Sequence, residues 1–117
     1  MPTRGYTPQD QAESKVGDGR KAVAISGTPE RLVSAPLAVD VVYISADDAN
    51  TNDVYIGAST VDNSTQRGAR IVAPAATHSN SPLVIEGPID LYDIFVDAET
   101  GGEAVSFMWI KRRKKRK

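Results

Sequence analysis

The 117-residue chain has no cysteine, a single histidine and a single tryptophan. Without cysteine, disulfides and thiolate metal sites are excluded, and the redox compartment leaves no trace. No apolar run approaches the roughly 20 residues that a membrane helix needs. The opening MPTRGYTPQDQAESKVGDGR lacks the apolar centre of a signal peptide. These absences predict a protein made in a cytoplasm and not inserted in a membrane. On that basis Asn63-Ser64-Thr65, which matches a glycosylation sequon, reads as a polar turn. Helical periodicity is missing too, since no apolar stripe recurs at i, i+3, i+4 over the length of a helix.

Reactive groups are as scarce. His78 sits in PAATHSNSP with no second ligand at a metal-binding spacing. No G-x-S-x-G turn supports a nucleophilic serine. Gly17-Asp18-Gly19 lacks the third glycine and the flanking strand and helix of a phosphate-binding loop. In DDANTND (47–53), Asp48, Asn50 and Asn52 alternate as calcium ligands do. The positions that should then hold glycine and a bidentate glutamate are Asp53 and Ser59, so the stretch reads as a turn capped by its own side chains. Asp90, Asp93 and Asp97 offer an acidic patch, and Asp93 interrupts the Leu91/Phe95 face. No catalytic, cofactor-binding or metal-binding residue is assigned, and the chain is expected not to be an enzyme.

What the chain does have is segregated charge. Residues 1–110 hold seven basic residues against fifteen acidic ones, a charge of −8, whereas residues 111–117 are all basic, a charge of +7. The formal total of −1 describes neither part. Three zones follow. Residues 1–19 are polar, rich in Gly and Pro, and too poor in apolar surface to order alone, so they read as an arm that a partner would order. Residues 20–110 alternate Val/Ile/Tyr-rich segments with Gly, Pro, Asn, Asp and Ser: KAVAIS (21–26), RLVSA (31–35), AVDVVYISA (38–46), DVYIGAS (53–59), ARIVA (69–73), PLVIEG (82–87), IDLYDIFVDA (89–98) and EAVSFMWIK (103–111). Residues 111–117 form a basic tail. The middle zone predicts one all-β domain, an antiparallel β-sandwich or jelly-roll-like barrel. Thr100-Gly101-Gly102 is placed to close a hairpin between the last two strands. Pro74, Pro82 and Pro88 should mark strand starts or edges.

The tail, Lys111, Arg112, Arg113, Lys114, Lys115, Arg116 and Lys117, is the candidate partner-binding site. It could bind nucleic acid through counterion release, serve as a nuclear address, or dock on an acidic protein surface, including a neighbouring copy of the chain. The acidic body repels phosphate, and the tail lacks the interleaved aromatics and folded groove of a single-strand binder, which favours a protein surface. At physiological salt the field of such a tail reaches only about 8 Å, so it acts in direct contact.

VVYISADDANTNDVYIGAST, RGARIVAPA and LYDIFVDAETGGEAVSFMWI resemble small β-sandwich virion proteins of tailed bacteriophages, over about seventy per cent of the chain. The matching positions, Val54–Gly57, Gly68–Pro74, Leu91–Ala98 and Gly102–Phe107, are turns and core faces, so the resemblance implies fold and virion setting only. Within that setting the expectation is a capsid decoration or cement protein, with the major capsid protein or another virion protein as partner. The chain would form a homo-oligomer, a trimer at local three-fold positions, attached through arm and tail. Two alternatives stand beside it: a head-to-tail connector or fibre-anchoring component, and a nucleic-acid-binding protein whose tail contacts DNA.

Overall fold

A computed structural model of the chain describes residues 15–72 and 82–112. Eight strands follow in order: β1 (Lys15–Ala22), β2 (Glu30–Arg31), β3 (Ala38–Ala46), β4 (Val54–Gly57), β5 (Ala69–Ile71), β6 (Leu83–Asp90), β7 (Phe95–Ala98) and β8 (Ala104–Lys111). They form two four-stranded antiparallel sheets, one in the order β1-β8-β3-β6 and the other β2-β7-β4-β5. The architecture is all-β and compatible with a β-sandwich.

Alternation explains the core. Val42, Ile44 and Ala46 of β3 lie opposite Trp109, Phe107 and Val105 of β8, so these six side chains share one face of the first sheet. Val54 and Ile56 of β4, with Val96 and Ala98 of β7, line the facing side of the second sheet. Leu32, Leu91 and Ile94 come from the crossings between sheets, and all three are buried in the same cluster.

Several expectations change. The polar stretch 15–19, read as the end of an arm, is the first half of β1. Its glycines account for this, because Gly17 lies under the ring of Trp109 and Gly19 under that of Phe107. A Cβ at Gly19 would sit 2.6 Å from Phe107 Cζ. The apolar surface that β1 buries thus belongs to its neighbour, which leaves no periodicity in its own sequence. KAVAIS is a strand only as far as Ala22, and residues 24–28 form a turn. At the other end β8 includes Lys111, the first residue assigned to the tail.

IDLYDIFVDA is not one strand. The Asp90 carboxylate accepts the Leu37 N–H (2.8 Å) and the Tyr92 N–H (2.9 Å). It thereby caps a single 3₁₀ turn, Leu91–Asp93, that carries the chain from the first sheet to the second. Nor do the last two strands form a hairpin: β7 and β8 lie in different sheets, and Thr100-Gly101-Gly102 crosses between them. Pro82 directly precedes β6, while Pro88 lies within it. That strand is an edge, and its register against β3 shifts between Val39 and Val41, where Gly87 and Pro88 face Asp40 alone. Pro74 and His78 lie outside the described residues.

The one hairpin among the described residues joins β4 to β5, and its sharpest position is Gly68, with φ of 112°. A Cβ there would meet the Ile56 carbonyl oxygen and Val61 Cγ2, both at 2.7 Å. Gly68→Ala is expected to cost about 1–3 kcal/mol. Gly27→Ala, with φ of 87° but open space around it, should cost less. Thermal melts of the two variants against the parent check this.

Candidate functional site

The two ends of the molecule differ in kind. At one end the loops between strands are tied by carboxylates. Asp97 projects from β7 on the face away from the core and is fully buried. Its Oδ1 accepts the N–H groups of Gly27 and Ala98, each at 2.9 Å. Its Oδ2 accepts the Asn63 N–H (2.7 Å) and Asn63 Nδ2 (2.8 Å). Four donors hold one carboxylate without a cation, one from β7 itself and three from the turn at Gly27 and the loop at Asn63, which close over it. Asn63 of the apparent sequon is therefore committed inward. The turn after it is closed by Asp62, which accepts from Ser64 N–H and the Ser64 and Thr65 hydroxyls.

The 47–53 loop is organised in the same way. Its turn closes through the Asn50 N–H on the Asp47 carbonyl (3.0 Å). The Asn50 amide then pairs with both backbone groups of Ala104, at 2.8 and 2.9 Å. Glu103 accepts the N–H groups of Thr51 and Asn52. Asp47 meets Arg20, and Asp53 accepts from Arg70 Nε at 2.6 Å. Of the three residues that resemble calcium ligands in the sequence, Asn50 has its side-chain oxygen committed to the Ala104 N–H, and Asn52 turns its amide nitrogen to the Thr100 hydroxyl. Among the described residues no group of three His, Asp or Glu is placed to hold a metal ion. The acidic patch expected of Asp90, Asp93 and Asp97 does not form: Asp90 caps the turn, Asp93 is exposed and Asp97 is buried under loops.

The opposite end carries the predicted site. β1 begins and β8 ends there as adjacent antiparallel strands, with Lys15 directly across from Lys111. Residues 1–14 and 113–117 therefore join the domain side by side. Lys15, Lys111 and Arg112 are all exposed, and the Arg112 N–H is anchored on the Asp40 carboxylate. Beside them Val16 is 65% exposed, and Trp109 and Ile110 are half-buried. Like charges directly across a ladder are unfavourable, so an anionic surface laid on this end would relieve the Lys15–Lys111 opposition. Of the seven predicted residues, Lys111 and Arg112 fall here, while Arg113, Lys114, Lys115, Arg116 and Lys117 lie outside the described residues. Lys15 and Asp40 escaped the sequence reading, because only the strand register brings them to the tail.

No protein-family model, curated protein or solved structure matches the chain.

Two expectations concern the carboxylates. Asp97→Asn turns an amide donor toward groups that are themselves donors, and should cost about 3 kcal/mol or more in a urea unfolding titration. Glu30, Asp47, Asp62 and Asp90 are held below their ordinary range. Arg20 does this for Asp47, Lys21 for Glu30, the Ser64 N–H for Asp62, and the N–H groups of Leu37 and Tyr92 for Asp90. A group whose folded-state pKa is depressed stabilises fully above its unfolded value and loses that contribution as pH falls through the folded one. The urea midpoint should therefore hold steady from neutral pH to about 5 and fall below about 4.

Proposed function

We propose that the chain is a non-enzymatic structural protein of a tailed-phage particle, attached to an acidic surface of the shell through the end where both termini leave. The observation that carries this reading is the strand order. Eight strands arranged as β1-β8-β3-β6 facing β2-β7-β4-β5, with all but one connection crossing between sheets, support a jelly roll. That architecture is recurrent in viral capsid domains. Fold alone does not decide function, and two further features support the reading. The carboxylates at the loop end are occupied with capping backbone N–H groups, which leaves them a structural role. The arm and tail emerge together, so two short polar segments act on one patch, and their joint attachment gains from effective concentration. The setting on a phage particle rests on the resemblance of VVYISADDANTNDVYIGAST and LYDIFVDAETGGEAVSFMWI to virion proteins of that kind.

The test is a chain cut after Arg112, which keeps the Lys15–Lys111 pair and the Arg112–Asp40 hydrogen bond. It should melt as the full chain does. Full-length protein should co-sediment with particles from a lysate of the encoding phage at physiological salt, and the shortened chain should stay in the supernatant. Equal sedimentation of both would sink the attachment role of the tail. Absence of the full chain from particles would sink the virion reading. Tail-dependent binding to naked duplex DNA with a steep salt slope would favour the nucleic-acid alternative.

A further inference from the structure

We propose that β1 is a docking edge for a second copy of this chain, paired antiparallel about a two-fold axis through Gly19, so that the first sheet continues across two subunits.

The argument starts from which backbone groups of β1 are free. At its end the Val23 N–H donates to the Glu103 carbonyl (2.9 Å), and the Val23 carbonyl accepts the Gly102 N–H (2.7 Å), so Val23 faces β8. Ala104, the next residue of β8, turns its carbonyl the other way and accepts the Asp47 N–H (3.0 Å). Ala22, opposite Ala104, therefore faces outward. In an antiparallel ladder the direction alternates, so Lys21, Gly19, Gly17 and Lys15 bond to β8. Ala22, Arg20, Asp18 and Val16 point their N–H and C=O groups away from the sheet. Among the described residues nothing pairs with that outer edge.

The other edges are guarded or short. β6 carries Pro88 and the register shift, β2 has two residues and β5 three. β1 alone offers eight residues with no proline and no bulge. A long straight edge is a template for another strand, and the charges on this one, Lys15, Asp18, Arg20 and Lys21, guard it against any partner that does not pair them.

The sequence of the edge selects its partner. A two-fold contact must pair outward-facing residues with one another. Centred on Gly19, it sets Asp18 against Arg20 of the partner subunit, Arg20 against Asp18 of the partner subunit, and Val16 against Ala22 of the partner subunit. The two Gly19 residues then meet at a close, non-hydrogen-bonded position where neither carries a Cβ. Moving the centre by one residue either way sets Asp18 against its own copy or Arg20 against its own copy, which is repulsive. One register thus satisfies hydrogen bonding and charge together. It also brings the basic terminal end of each subunit beside the acidic loop end of the other. This two-fold pair differs from the three-fold assembly expected from the sequence, and it rests on the fold alone, independent of the virion reading.

Light scattering after size exclusion of the full chain should give twice the chain mass of 12.5 kDa. Asp18→Arg places two guanidinium groups against each other at both pairs, and Arg20→Asp does the same with carboxylates. Each variant alone should be monomeric, and an equimolar mixture of the two should regain the dimer, because both pairs are then opposite in charge. Circular dichroism confirms that each variant is folded. Arg20→Asp also removes the partner of Asp47, so a second measurement uses the unmodified chain. Amide exchange at Val16, Asp18, Arg20 and Ala22 should slow with rising concentration, while Gly17, Gly19 and Lys21 stay protected throughout. A monomer or a trimer, dimeric single variants, a mixture that stays monomeric, or concentration-independent exchange at the outward four would each overturn the proposal.

Discussion

The structure depends on a need for acceptors at its crossings. Six of the seven connections between consecutive strands pass from one sheet to the other, and only β4 to β5 stays within a sheet. A chain that leaves a ladder exposes backbone N–H groups with no strand to receive them, and such groups are costly when buried. Here carboxylates receive them. Asp90 holds the crossing into β7, Asp97 gathers the turn after β1 and the loop after β4, and Glu103 anchors the loop after β3. Eight of the thirteen carboxylates in the described residues accept a backbone N–H, which makes capping the main structural reason the body is acidic.

That division of labour makes the molecule electrically polar along its strands. Asp47, Asp97, Glu99 and Glu103 serve crossings at the loop end, while Asp40 and Asp90 sit at the terminal end. The terminal end has Lys15, Lys111 and Arg112, and the tail adds five more cations beyond them. The attachment proposed at the terminal end and the sheet continuation proposed along β1 would use different surfaces, an end and an edge, so one subunit could do both. The first sheet also leaves Val16, Val84 and Met108 substantially exposed on its outer face, whereas the turn at Gly27 and the loop at Asn63 close over Asp97 on the outer face of the second.

Local pattern made much of this legible. AVDVVYISA is β3 to the residue, and the Val105/Phe107/Trp109 face is the core face of β8. The turn character of 47–53 followed from side chains that cap their own neighbours, and Asn63-Ser64-Thr65, read as a turn for want of a signal peptide, is closed in the same way by Asp62. The rest failed where a residue answers to a distant partner. Gly17 and Gly19 look like arm residues until Trp109 and Phe107 lie over them. Asp90 looks like a strand residue until the Leu37 N–H reaches it.

By itself the sequence determined the class of structure, the separation of an acidic body from a basic tail, and the faces of the long strands. Each of these depends on composition or on the two-residue period of a strand, which is local. Only the tertiary structure decided that Thr100-Gly101-Gly102 crosses between sheets, that Lys15 stands opposite Lys111, and that β1 is an open edge. Those facts depend on which strands pair across up to ninety-six positions of chain, and pairing is selected by how all the strands pack at once.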